Sequence, residues 1–106
     1  MSFSRKDLIL LQKYKDDNYK RALAEHVISL VKYEVVRTAM AGETVVRVSS
    51  FWASTKEELD SLEKEVKIVR DQLKEVFDDS LIEIETNKIN LIFYEFHEIV
   101  IKVTWG

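Results

Sequence analysis

The two histidines, His26 and His97, are the first residues to test for chemistry. A helical metal site needs ligands at i and i+4, or three ligands that converge. At those spacings His26 is followed by Ser29 and Leu30, and His97 has only Glu95 two residues back on the same strand face. Each reads as a surface or internally satisfied histidine. Carboxylates occur in pairs: Asp16-Asp17, Glu57-Glu58, Asp78-Asp79, Glu83 with Glu85, and Glu95 with Glu98. Paired carboxylates do acid–base work only where a cleft drives their pKa values apart. Most of these sit where helix capping or a polar strand face accounts for them. Glu83, Glu85 and Glu95 could line one sheet face and hold a divalent cation. A second arrangement, Glu95 and His97 with Arg47 and neighbouring aromatics, would form a small enzyme or ligand site on an open sheet face. Ser49-Ser50 and Ser54-Thr55 lie outside any G-x-S-x-G elbow. The only glycines, Gly42 and Gly106, cannot build a phosphate-cradling loop. With no cysteine in the chain, disulfides, thiolate zinc sites and cysteine nucleophiles are excluded. No residue is therefore assigned a catalytic, cofactor-binding or metal-ligating role, and no cofactor is expected.

Binding surfaces remain. Arg5, Lys6, Lys13, Lys15, Lys20 and Arg21, interleaved with Tyr14 and Tyr19, make a modest basic–aromatic stretch. Nucleic-acid binding usually accompanies a strong basic excess. Here the formal net charge is −3, and Asp7, Asp16 and Asp17 dilute the stretch, which argues against nucleic acid as the main partner. The charge is also uneven. Residues 1–40 carry eight Lys/Arg against five acids (+3), and residues 41–106 carry eight against fourteen (−6). In one folded domain such a split could make a bipolar surface that favours self-association, or it could be scatter over solvated faces.

These residues must be held by elements with few flexible connections, because the chain has no proline and two glycines. Its 106 residues suffice for one domain spanning 1–106. The apolar run Leu8 to Leu11 is too short for a signal peptide. No apolar run approaches the roughly 18 residues of a membrane span, so a cytoplasmic protein without a membrane partner is expected. Ser4-Arg5-Lys6-Asp7 has capping-box spacing ahead of Leu8, Leu11 and Tyr14. That predicts a first helix, broken at Asp16-Asp17-Asn18, whose apolar side packs on its own domain or, as segment 1–17, on a partner. A long helix follows over 19–41, with Gly42 as its C′ residue. Thr44 to Trp52 reads as a strand. Ser54 and Thr55 cap a second long helix over 56–78. In that helix Leu59, Leu62, Val66, Val69, Leu73 and Val76 recur every three and four residues, a seam for intramolecular packing or for a symmetric helix–helix dimer. Leu81 to Glu85 alternates as a strand, Thr86-Asn87-Lys88 suits a turn, and 89–96 suits a further strand. His97-Glu98 suits a turn or bulge. Ile99, Ile101, Val103 and Trp105 then face one way, with Val100, Lys102 and Thr104 opposite.

The expected fold is α+β in two layers, in the order α-α-β-α-β-β(-β). A small mixed or antiparallel sheet of three or four strands carries two long helices on one face. The other face, bearing either Val45 and Arg47 or Thr44, Val46 and Trp52 by register, is left uncovered and invites dimerisation. The layout resembles small accessory proteins of large DNA viruses and phages, over roughly residues 19–106. The features that carry the resemblance are a long helix ending at Ala41-Gly42-Glu43 and a following strand. A second helix then closes at Val76-Phe77-Asp78-Asp79-Ser80, and the last strand ends Ile101-Lys102-Val103-Thr104-Trp105. The resemblance transfers no functional residue, since such proteins mostly have no known activity. The expected function is that of a non-enzymatic accessory protein that binds protein, as a homodimer or with another partner. The candidate interface residues are Leu8, Leu11, Trp52, Leu62, Val69, Phe93 and Trp105.

Overall fold

The computed structural model describes residues 4–106, with the side chains of residues 10–14 and 16 outside that description. The fold is α+β. Its order is α1 (Arg5–Met40), β1 (Val45–Ala53), α2 (Lys56–Ser61), α3 (Glu63–Val76), β2 (Leu81–Asn90) and β3 (Glu95–Thr104). The sheet is antiparallel with strand order β1-β3-β2.

The helix starts and stops follow local chemistry. Ser4 accepts from the Asp7 amide at 3.2 Å while Asp7 accepts from the Ser4 amide at 3.1 Å, a complete capping box. At the far end the Gly42 amide donates to the Ala39 carbonyl and the Glu43 amide to the Thr38 carbonyl. Gly42 itself sits at φ +86°. This is a Schellman termination, and the left-handed residue in it is the one that needs no Cβ. Between these ends α1 is continuous, so the expected break at Asp16-Asp17-Asn18 does not occur. Asp and Asn cost a helix only a few tenths of a kcal/mol each, and neither proline nor glycine is there to stop it. Thr55 caps α2 by accepting from the Glu58 amide at 3.1 Å. The expected single helix over 56–78 is instead divided at Leu62. The Ser61 hydroxyl donates to the Glu58 carbonyl at 2.6 Å, and this back-bonding tightens and bends a helix.

One face of the sheet and the inner faces of the helices share a single core. Ala24, Val27, Ile28, Val31 and Val35 of α1 meet Val69 and Leu73 of α3 and Leu62 before it. Beneath them lie Val48, Phe51, Ile82, Ile99, Ile101 and Val103 of the sheet. The alternation expected for 99–105 holds, with Trp105 packed against this cluster. A bulge in β1 sets the rest. Val48 pairs with Ile101 and Ser49 with Val100, but Phe51 pairs with Ile99, leaving Ser50 as the extra residue. Its hydroxyl turns back to the Val48 carbonyl at 3.0 Å. The slip of one residue sends Phe51 inward and Trp52 outward, on the same face as Val45 and Arg47.

The last third of the chain departs from expectation. Thr86-Asn87-Lys88 lies inside β2, and His97-Glu98 lies inside β3. The reversal falls between them, at Leu91-Ile92-Phe93-Tyr94, closed by the Leu91 amide donating to the Tyr94 carbonyl at 2.7 Å. Asn87 and Lys88 tolerate strand geometry because β2 is an edge strand, and both find partners across it. Asn87 donates to Glu98, and Lys88 meets Glu95 at 3.2 Å.

Candidate interaction surface

The outer face of the sheet is built in rows across β1, β3 and β2. Arg47, Lys102 and Glu83 form one row, Ser49, Val100 and Glu85 the next, and Trp52, Glu98 and Asn87 the third. Arg47 meets Glu85 at 3.5 Å and Lys102 meets Glu83 at 3.9 Å. Glu98 accepts from the Ser49 hydroxyl at 2.8 Å and from the Asn87 amide at 3.3 Å, tying the central strand to both edges. Val100 is buried beneath these side chains. The middle of this face is thus a charge-paired lattice, not the bare apolar surface expected of a sheet covered on one side. Ion pairs this exposed contribute little stability. Their effect is to make the face water-compatible.

The apolar character lies at one end of the face. Trp52 stacks on Phe96 with ring centroids 4.8 Å apart and stays 54% exposed. Beyond it the hairpin tip holds Ile92 at 92% exposed, Phe93 at 93% and Tyr94 at 66%. Loop tips are usually polar and rich in Gly, Asn, Asp and Ser. A tip of four large apolar residues has no folding role that its exposure can account for. With aromatic side chains carrying about 150–250 Å² each, the tip and Trp52 present on the order of 700 Å² of mostly apolar surface. That is at or above the largest patch of a typical monomer, roughly 300–600 Å².

The residues singled out in the sequence fall into distinct places. Phe93 and Trp52 lie on this surface, and Trp105 is half-buried against the core. Leu62 and Val69 are buried core residues, so neither offers an interface; the heptad-like seam packs within the molecule from Leu59 to Leu73, and its last member, Val76, is exposed. Leu8 is exposed on the N-terminal part of α1, and the Leu11 side chain lies outside the described residues. His26 is exposed on α1. Arg47, Glu95 and His97 do not share a site. Arg47 is on the outer face against Glu85, while His97 and Glu95 belong to the helix side, where Glu95 meets Lys88. Glu83, Glu85 and Glu95 likewise lie on two faces, each against a cation. Among the described residues no three His, Asp or Glu side chains converge as metal ligands. No helix of the described residues is long and apolar enough to cross a membrane. Nothing in the types of residues 91–94 signals a turn, so the sequence alone suits a strand there. Their lack of polar relief was the one available signal.

A cleft of about 360 Å³ lies between α1 and α3, lined by Asp17, Arg21, Ala24, Glu25 and Ile28 and by Lys64, Glu65, Ile68 and Gln72. Among these, Oε2 of Glu65 is buried without a hydrogen-bond partner. The lining is mixed in charge, with carboxylates of Asp17, Glu25 and Glu65 beside the cations of Arg21 and Lys64.

Comparison with known proteins finds no family model, no curated protein and no solved structure that matches this chain.

Proposed function

We propose that the protein acts by binding another protein rather than by catalysis, and that the hairpin tip Leu91–Tyr94 is its docking element. The observation that carries this reading is the near-complete exposure of Ile92 and Phe93 at the end of a two-stranded stem. A convex apolar knob fits a concave apolar pocket, and aromatic anchors in such pockets dominate binding energy. The lattice of ion pairs beside it makes a polar rim that keeps the rest of the face from sticking. The charges nearest the tip, Lys88 and Glu95, neutralise each other. A membrane-docking loop would instead carry unpaired cations for anionic lipid, so a protein pocket is the favoured occupant.

The test is a photo-crosslinking amino acid, benzoyl-phenylalanine, placed in cells at position 93 and, as a control, at position 85 on the charged lattice. A discrete polypeptide adduct at 93 that is absent at 85 and abolished by Ile92→Ser supports the reading. A lipid adduct at 93, or the same pattern at both positions, overturns it.

A further inference from the structure

We infer that the free edge of β2 pairs with the same edge of a second copy of this chain, antiparallel and centred on Thr86, joining two three-stranded sheets into one. This goes beyond the docking role of the hairpin tip and uses a separate surface.

The hairpin closure fixes which backbone groups of β2 are free. The Leu91 amide donates to the Tyr94 carbonyl, so Leu91 and Tyr94 are a hydrogen-bonded pair. Bonded and non-bonded pairs alternate along an antiparallel ladder. Glu83, Glu85, Asn87 and Ile89 therefore bond to β3, while Ile82, Ile84, Thr86, Lys88 and Asn90 turn their N–H and C=O groups outward. The far side of β3 keeps step, since the Trp105 amide donates to the Thr44 carbonyl next to the Val45–Thr104 pair. Among the described residues no loop or helix backbone bonds to the outward row.

Proteins guard such rows with bulges, prolines or lysines. The other edge of the sheet, β1, is interrupted by the bulge at Ser50. β2 pairs without a bulge from Leu81 to Asn90 and holds no proline. Its one lysine, Lys88, is drawn back over β3 by Glu95. Thr86, Asn87 and Lys88 are all exposed, which leaves room for a further strand beside them.

The charges of β2 select a second copy and its register. Centred on Thr86, the pairing spans 82–90 of both copies and forms about ten hydrogen bonds. Thr86 meets itself, Glu85 meets Asn87, Ile84 meets Lys88 and Glu83 meets Ile89. No charge stands directly opposite its like. The two Glu85 side chains meet only on the diagonal, each beside its own Arg47. Leu81 and Leu91, 59% and 46% exposed, fall opposite each other at both ends. A register centred on Glu85 sets that residue against itself, and one centred on Ile84 sets Glu83 against Glu85. Centring on Asn87 shortens the pairing to 84–90. The favoured register makes a closed two-fold dimer, in which each copy uses the same edge.

Amide hydrogen exchange of the full chain over a range of concentrations tests the pairing residue by residue. The Ile84, Thr86 and Lys88 amides are expected to exchange slowly in concentrated protein and fast on dilution, while those of Glu83, Glu85 and Asn87 stay slow throughout. Fast exchange of the first set at every concentration overturns the inference. Thr86→Pro removes only an outward N–H, a place where an edge strand tolerates proline. By sedimentation it weakens the dimer at least about tenfold, with the fold checked by urea denaturation. Asn87 tests the register. Asn87→Glu, placed opposite Glu85 of the second copy, weakens the dimer about fivefold, and Asn87→Lys tightens it by a similar factor. If the two variants act alike, the register is wrong. Phe93→Ser leaves the dimer intact, which separates this pairing from the hairpin's role; loss of the dimer in that variant would place the contact at the tip and overturn the edge pairing.

Discussion

Replacing Ile92 and Phe93 together with serine separates folding from docking. At 92% and 93% exposed, folding withdraws less than a tenth of either side chain from water. Full burial of such a side chain contributes about 1.5–3 kcal/mol, so the double substitution costs folding at most about 0.5 kcal/mol. Serine also suits a four-residue turn better than isoleucine or phenylalanine. In a partner's pocket the same surface is fully buried. Its loss there removes about 3–5 kcal/mol, more than a hundredfold in affinity. The assay is urea denaturation followed by tryptophan fluorescence, alongside binding of the polypeptide captured at position 93. The expected result is an unchanged midpoint and slope with binding abolished. A stability loss above about 1.5 kcal/mol would show that the tip packs within the folded chain, and the reasoning from exposure would fail.

Leu73→Ala, at a fully buried position, costs about 2–5 kcal/mol in the same denaturation experiment, and a smaller loss would mean the core relaxes around it. Gly42→Ala meets no atom within 4 Å, so its cost is conformational alone. It should destabilise by about 1 kcal/mol from φ +86°, and a neutral result would place residue 42 outside the left-handed region. Glu98→Ala removes the shared acceptor of Ser49 and Asn87. It should cost about 1 kcal/mol and speed amide exchange in β1 and β2 more than in the core helices. Ser4→Ala breaks the capping box, worth about 1 kcal/mol to the first turn. It should lower helical ellipticity without moving the global midpoint, because the first turns of α1 do not touch the core.

How far the sequence reveals this architecture depends on which physical signal each segment carries. The two ends of α1 were legible because Ser4, Asp7 and Gly42 bear side-chain and backbone requirements that few other states satisfy. The inward row of Ile99, Ile101 and Val103 was legible because a central strand keeps strict alternation. Three features were not. The continuity of α1 through Asp16-Asp17-Asn18 depends on the absence of a breaker, which weak propensities do not announce. The bulge at Ser50 exchanges the faces of Phe51 and Trp52, and no residue type there demands it. The hairpin at 91–94 uses none of the turn-forming residues, so its register is set by pairing of Asn90 with Glu95 and by the contacts of Asn87 and Lys88.

That missed hairpin is also what shifts attention from the sheet face as a whole to one end of it. The candidate residues Leu62 and Val69 were apolar in a regular seam, and regularity of that kind marks burial as readily as association. Phe93 and Trp52 were distinguishable from them only once the bulge and the turn had been placed. The heavily charged lattice of Arg47, Glu83, Glu85, Glu98 and Lys102 then explains how the open face stays in water without a covering layer.

The most direct test of the central claim is relaxation of methyl resonances by a soluble paramagnetic agent. The chain is labelled at isoleucine methyl groups, and Ile92 is compared with the fully buried Ile101. A tip displayed for docking predicts that the Ile92 methyl relaxes as fast as a free side chain while Ile101 is untouched. If Ile92 is shielded to the level of Ile101, the folded chain does not present the tip, and its role as a docking element is contradicted.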